Sequence, residues 1–269
     1  MNMLEVSNLR IWDGRTGEVL VQDSSFHVKK GSCLAIVGES GSGKSLTCRA
    51  ILRLNTAGTR QSGDIRLGGV NLSELPEREM RKRRGKQLCM IMQHGMRAFD
   101  PSSVIGVHLR ETLREHYGWS KSVVTEKMSA AMNSVMLKDP VAVMNKYPHQ
   151  LSGGMLQRVM IALALVLEPD VIIADEPTTA LDTISQYEAA EQLIQLRARM
   201  GCSMILVSHD MGVVSRIADE VLVMQDGTIV ERGSTQAILA HAQHAHTRYL
   251  LAAKQAIGQH YRKIMEGAG

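Results

Sequence analysis

Short apolar runs alternate along the chain with longer stretches in which apolar positions recur every three or four residues. Cys33–Val37, Leu88–Met92, Val171–Ala174, Met204–Val207 and Val221–Met224 are apolar almost throughout, the pattern of central strands buried on both faces. Leu4–Ile11, Val19–Gln22, Ser25–Val28 and Gly63–Leu67 alternate better, which predicts a small antiparallel layer with one solvated face. Strands interleaved with helical patterns predict an α/β fold with a mostly parallel core sheet. Between Gln93 and Pro169 the character changes. Helical spacing dominates over Val104–Tyr117, Lys121–Leu137 and Gly154–Leu167, which predicts a helical subdomain inserted in the α/β core. A charge run, Glu77–Lys86, reads as a solvated helix or loop rather than a nucleic-acid contact, and Thr247–Met265 has the spacing of a peripheral helix.

Composition narrows the classes. A chain of 269 residues fits one large domain, or one domain with an insertion. The 31 basic and 27 acidic residues leave a net charge of only +4, and aromatics are 3%. Base-stacking platforms therefore have little raw material, and no nucleic-acid partner is expected. Cys33, Cys48, Cys89 and Cys202 lie far apart with no C-x-x-C pair, against both a zinc site and a disulfide framework; they are expected as buried apolar residues. The longest apolar run, Val159–Leu167, is short of the roughly 20 residues a membrane helix needs. The opening MNMLEVSNLR lacks the basic and apolar regions of a signal peptide, so a cytoplasmic chain is expected.

The strand LAIV runs directly into Gly38-Glu39-Ser40-Gly41-Ser42-Gly43-Lys44-Ser45 and then a helical pattern from Leu46 to Leu54. This is the G-x-x-x-x-G-K-S phosphate loop in its required strand-to-helix setting. Glycines let the backbone fold into a nest of N–H donors at a helix N-terminus, where the macrodipole favours phosphate. Lys44 is placed to reach the β- and γ-phosphates and Ser45 to ligate Mg²⁺. Hydrolysis also needs a carboxylate for the metal and a group to take a proton from water. The strand Val171–Ala174 ends in Asp175 and Glu176; alone this could be a strand meeting solvent, but beside a phosphate loop Asp175 reads as the Mg²⁺ partner and Glu176 as the general base.

Three further segments carry a family resemblance. Leu151-Ser152-Gly153-Gly154-Met155-Leu156-Gln157-Arg158 closely resembles the signature motif of ATP-binding cassette (ABC) proteins. Pro177–Asp182 resembles their D-loop, and His209 in LVSHD their switch histidine. Gln93 matches the glutamine loop that joins core to helical subdomain, and the motifs stand in family order over nearly the whole chain. The resemblance implies an ATP-binding core at 1–93 and 169–240, a helical subdomain at 94–168 and a helical tail at 241–269. It further implies ATP and Mg²⁺ as ligands, Gln93 among the metal and γ-phosphate contacts, and two ATP molecules sandwiched head to tail between two chains. Each γ-phosphate would then touch Lys44, Gln93 and His209 of one chain and the serine and glycines equivalent to Ser152, Gly153 and Gly154 in the other. An aromatic residue before the phosphate loop usually stacks on adenine in this family. Trp12 is the candidate, with packing at a strand end as the alternative and Arg15 as a possible cation–π substitute.

Within the family, the segments Met90–Pro101, Tyr147–Arg158 and His246–Leu251 resemble the peptide and nickel branch of importers. Gly58–Gly63 and Ala174–Tyr187 are most similar to ATPase subunits of nickel and opine-metallophore importers. No Cys follows Cys202, whereas dipeptide and oligopeptide relatives often carry a C-terminal cysteine cluster. The resemblance implies a second, similar ATPase chain, two membrane permeases and an extracytoplasmic binding protein as partners, with the chain at the cytoplasmic face of the membrane. His241, His244 and His246 could share a helix face at i, i+3 spacing, but read as a polar linker before the last helix because no carboxylate or thiol joins them in the sequence.

Overall fold

In a computed structural model of the chain, residues 1–92, 95–178 and 183–253 are described. The central sheet has the spatial order β10 (Thr228–Ser234), β9 (Glu220–Gln225), β3 (Cys33–Val37), β8 (Ser203–Val207), β7 (Val171–Asp175) and β6 (Leu88–Ile91). All its pairings are parallel except β9 with β10. A second, antiparallel sheet has the order β2 (Val19–Lys29), β1 (Asn2–Asp13), β4 (Thr59–Leu67) and β5 (Val70–Asn71). Two strands lie outside the expected runs: β5 has only two residues, and β10, TIVERGS, half-exposes every residue but the last and has no apolar run. Val19–Gln22 and Ser25–Val28, expected as separate strands, are one strand that takes a left-handed turn at Asp23 (φ 43°).

The apolar runs of the central strands feed two cores residue by residue. Leu34, Ile36, Val171, Ile173, Ile205 and Val207 point toward the antiparallel sheet and helix α1 (Lys44–Ile51). Their neighbours Cys33, Ala35, Val37, Ile172, Ala174, Met204 and Leu206 point the other way. The period of two in a strand makes this division unavoidable. It explains why these strands read as continuous apolar segments: both faces are covered.

The second core joins the sheet to the inserted helices. These are α3 (Ile105–Tyr117), α4 (Lys121–Ser134), the short α5 (Pro140–Met144) and α6 (Gly153–Leu167), and they contribute Leu109, Met128, Met132, Leu156 and Ile161 to it. Among the described residues no strand lies between β6 and β7. Helix α6 is apolar nearly all round because it is covered by α4 on one side and by α7 (Thr183–Met200) on the other. Its start is fixed by Ser152, whose hydroxyl accepts from the Met155 N–H at 3.2 Å. Helix α3 ends at Gly118 in the left-handed conformation (φ 69°), and the Tyr117 hydroxyl donates to the Leu167 carbonyl at 2.8 Å, tying the ends of α3 and α6 together.

The charge run forms α2 (Glu77–Arg83), solvated except for the buried Met80. Helices α8 (Met211–Ile217) and α9 (Thr235–His241) complete the core, and residues 245–253 are helical. The rest of the expected closing helix lies outside the described residues. Cys33, Cys48 and Cys202 are buried as expected, while Cys89 is half-buried; burial pushes the Cys33 and Cys89 thiols up to about 12.

Leu156→Ala deletes a fully buried side chain where α6 meets the core. It is expected to cost about 2–5 kcal/mol of stability, seen as a lower urea midpoint with an unchanged slope.

Candidate active site

The segment after β3 closes into a loop because residue 38 has no side chain. A Cβ on Gly38 (φ 152°) would lie 2.2 Å from the Met224 carbonyl oxygen and 2.7 Å from the Ser42 hydroxyl. Gly43 (φ 98°), the residue that caps α1, is similarly confined, with Val21 2.9 Å from a would-be Cβ. Lys44 turns back into the loop, its Nζ donating to the carbonyls of Gly38 at 2.8 Å and Glu39 at 2.6 Å. The lysine is buried, and this desolvation lowers its pKa against the opposing carboxylates of Glu176 and Asp175. Glu39, Ser40 and Gly41 form the exposed rim, while Ser42 and Gly43 are buried and Ser45 and Leu46 half-buried.

Strand β7 delivers the acid pair to the same edge of the sheet. The Ser45 hydroxyl donates to Asp175 Oδ1 at 2.8 Å, joining the first turn of α1 to the end of β7. Burial raises the Asp175 pKa, and the hydrogen bond from Ser45 works against it. Glu176 sits in the left-handed region (φ 46°), held by its N–H donating to the Val207 carbonyl at 2.9 Å. A non-glycine residue held there is strained, and the turn brings its carboxylate within 3.6 Å of His209 Nδ1. Ser45 and Asp175 offer only hard oxygen donors, and their adjacency fits Mg²⁺, which takes one or two protein oxygens with phosphate and water completing its shell. Among the described residues no cluster of three His, Cys, Asp or Glu side chains suits a softer metal.

The structure gathers Lys44, Ser45, Asp175, Glu176 and His209 into one site and sets Ser152, Gly153 and Gly154 elsewhere. Ser152 and Gly153 are exposed at the N-terminus of α6. Ser152 and Gly154 line a cavity of about 260 Å³ that includes Met136, Arg158 and Glu188 but no residue of the phosphate loop. Trp12 is half-buried at the end of β1, paired with Val19 on β2. The guanidinium over its ring, 6.0 Å from the centroid, belongs to Arg10, whereas Arg15 extends toward Gly58. Gln93 and residues 179–182 of the D-loop stretch lie outside the described residues.

The histidine segment is a correction in detail. Helix α9 stops at His241, so His241 and His244 do not share a helix face. A carboxylate does join the segment: Glu231 accepts from the N–H groups of Gln243 at 2.7 Å and His244 at 3.1 Å.

Two residues quoted only as part of the signature stretch turn out to tie α6 to distant segments, Gln157 to the residue after the acid pair and Arg158 to α7 and the end of α4. The buried Gln157 amide donates to the carbonyl of Pro177, the residue after Glu176. Arg158 donates to the Val135 carbonyl at 3.1 Å and to Glu188 on α7 at 2.5 Å. Their position beside Ser152 was the available signal; their partners are 20 to 30 residues away and have no mark in the local sequence.

A phosphate loop, a serine-bound aspartate and a strained glutamate at the C-terminal edge of a parallel sheet define a phosphate-loop nucleoside triphosphatase. Comparison with known proteins places it further. The family model described as ABC transporter matches residues 21–179. The metal-staphylopine import system ATP-binding protein CntD of Staphylococcus aureus is 45% identical over 99% of this chain and 98% of its own length. The dipeptide transport ATP-binding protein DppD of Lactococcus lactis is 41% identical over 93% of this chain and 72% of its own. A post-hydrolysis dimer of the ATP-binding cassette MJ0796, bound to ADP and Pi, superposes with a TM-score of 0.76 at 25% identity, covering 87% of this chain and 99% of that one. The chain belongs to the ABC transporter family and is an ATPase of it.

Gly38→Ala forces a Cβ against the Met224 backbone and is expected to weaken ATP binding by about tenfold or more, an overpacking cost of roughly 1–3 kcal/mol. Titration with a fluorescent ATP analogue measures it; unchanged affinity would mean the loop relaxes at no cost.

Proposed function

We propose that this chain is the ATP-hydrolysing motor subunit of an importer for nickel, cobalt or zinc, taken up as free metal or as a metallophore chelate. The cargo reading is carried by one observation, the end-to-end 45% identity to the metal-staphylopine ATPase. A second reading, a dipeptide or oligopeptide importer, is favoured by the 41% identity to the dipeptide transport protein. In either case the chain acts at the cytoplasmic face of the membrane with a second ATPase chain, two permease subunits and an extracytoplasmic binding protein. Among the described residues no helix is long and apolar enough to cross a membrane, and in this reading the permeases supply the path. The proposed units are an ATP-binding core at 1–93 and 169–240, a helical subdomain at 94–168 that docks the permeases, and a tail at 241–269.

The mechanism follows from the site. Backbone N–H groups of Gly41 to Ser45 surround the phosphates, and Lys44 moves from the loop carbonyls to the β- and γ-phosphate oxygens. Ser45 and Asp175 hold Mg²⁺, with Gln93 the further proposed contact; the ion supplies neutralisation of charge on the phosphates. Glu176 takes the proton of the attacking water, and His209, beside it, orients the carboxylate and contacts the γ-phosphate. Trp12 stacks on adenine. Ser152 and Gly154 line a cavity that holds no residue of this site, and the exposure of Ser152 and Gly153 at a helix N-terminus supports use of the three on the γ-phosphate held by the second chain. Hydrolysis then removes a contact that bridges two chains, giving ATP the differential affinity for the closed pair that a switch requires.

Glu176→Gln is expected to retain ATP and trap the closed pair while turnover falls by about a hundredfold or more; Lys44→Ala is expected to lose nucleotide affinity itself, and Trp12→Ala to lose about 1–3 kcal/mol of it. Near-normal turnover in Glu176→Gln would remove it as the base. Cargo is decided by deleting the gene and measuring radiolabelled nickel, cobalt, zinc and dipeptide uptake: loss of metal uptake alone is expected, and loss of dipeptide uptake alone would establish the second reading.

A further inference from the structure

The parallel strands end at the phosphate loop, and a second cavity, of about 510 Å³, lies where they begin. It is lined by Arg78, Arg81 and Lys82 of α2, Lys86 of the following turn, and Glu115 and His116 at the end of α3. The turn carrying Lys86 leads into the start of β6. The cavity and the phosphate loop therefore lie at opposite ends of the strands and on different strands, β6 and β3, of the sheet. Its volume is that of a small-molecule site.

The charges around it do not balance. Beyond Lys82, which is paired with Glu79, three cations, Arg78, Arg81 and Lys86, face one lining carboxylate, that of Glu115. The acids of α2 are engaged: Glu77 pairs with Arg84 at 2.5 Å and Glu79 with Lys82 at 2.8 Å. Among the described residues no carboxylate lies within ion-pair distance of Arg78, Arg81 or Lys86. The wall is also built rather than loose. The Lys86 ammonium sits 5.2 Å over the Tyr117 ring; that ring stacks on Trp119 at 4.4 Å, and its hydroxyl is fixed to the Leu167 carbonyl. Gly85, in the left-handed conformation (φ 85°), lets the turn close on His116, whose Nε2 would lie 2.5 Å from a Cβ there. Burial lowers the His116 pKa, with Glu115 opposing and Lys86 assisting, so the imidazole is placed to sense charge bound in the cavity.

We propose that this cavity binds a multiply charged phosphate ester through Arg78, Arg81, Lys82 and Lys86. Two guanidinium forks suit paired phosphate oxygens, and the ammonium groups add point charge. Glu115 repels a further phosphate and accepts from a hydroxyl, so the organic part of the ester carries one. A nucleotide and the headgroup of a phosphorylated inositol lipid share this chemistry. Neither depends on the importer reading, because the cavity shares no residue with the ATP site.

The test uses the full chain carrying Lys44→Ala, which silences the phosphate loop, with and without Arg78→Ala and Arg81→Ala. Inorganic pyrophosphate is titrated by calorimetry, and the His116 imidazole is followed by NMR as a function of pH. Pyrophosphate is expected to raise the His116 pKa, and the double substitution to weaken binding by about tenfold or more. Glu115→Gln is expected to tighten pyrophosphate several-fold. Vesicles carrying phosphatidylinositol 4-phosphate, whose headgroup is both hydroxylated and multiply charged, form the second arm: co-sedimentation that the double substitution abolishes identifies a lipid source, whereas pyrophosphate binding without it identifies a soluble one. Unchanged melting temperatures of the variants, whose arginines are exposed, exclude misfolding. If neither probe responds to the double substitution, or His116 does not move, the proposal is overturned.

Discussion

Everything chemical in this molecule depends on how closely the turn after β3 approaches β9. With no side chain at residue 38, the loop lies against the Met224 carbonyl, and from that contact the rest follows in order. The turn closes, α1 starts at Lys44, the ammonium folds back on the loop carbonyls, and Ser45 comes within a hydrogen bond of Asp175. The site is thus an outcome of backbone packing first and of side-chain chemistry second. Its cost is visible in the buried Lys44 and Asp175, whose pKa values are displaced in opposite directions by the same loss of solvent.

The inserted helices add a second constraint, on orientation. Helix α6 carries the exposed Ser152 and Gly153 at one end, and one turn along it Gln157 holds the Pro177 carbonyl while Arg158 holds Glu188. A displacement of the segment after Glu176 therefore pulls on the helix that presents the signature residues. Hydrogen bonds to backbone carbonyls are suited to this, since they fix position without adding net charge to a buried junction. In an ATPase whose proposed partner is a similar chain, this gives the catalytic edge of one site a direct mechanical connection to the surface offered to the other.

Much of this was legible in the sequence because the signals are local. The phosphate loop carries its own strand, glycines and helix within about twenty residues, and the strand ending in Asp175 and Glu176 is marked by five consecutive buried positions. What escaped was whatever lacked a local mark. Strand β10 is polar because it lies at the sheet edge and is paired on one side only. The break expected in β2 is a single left-handed residue inside a continuous strand. The histidine segment gains a carboxylate partner, Glu231, from a strand that was itself unseen. The charge run at residues 77–86 reads as a solvated helix or loop, and most of it is a solvated helix; that it forms one wall of a cavity required α3 to be set beside it.

By itself the sequence determined the fold class and where the phosphate-loop motif falls between a strand and a helix, because hydrophobic period and glycine placement act over one or two turns of chain. Only the tertiary structure decided which side chains meet. It joined Ser45 to Asp175 across 130 residues, set Glu176 beside His209, and left Ser152 exposed as the cap of α6. The physical reason is that a contact between distant segments is fixed by strand register and helix packing together, and no window of sequence contains both.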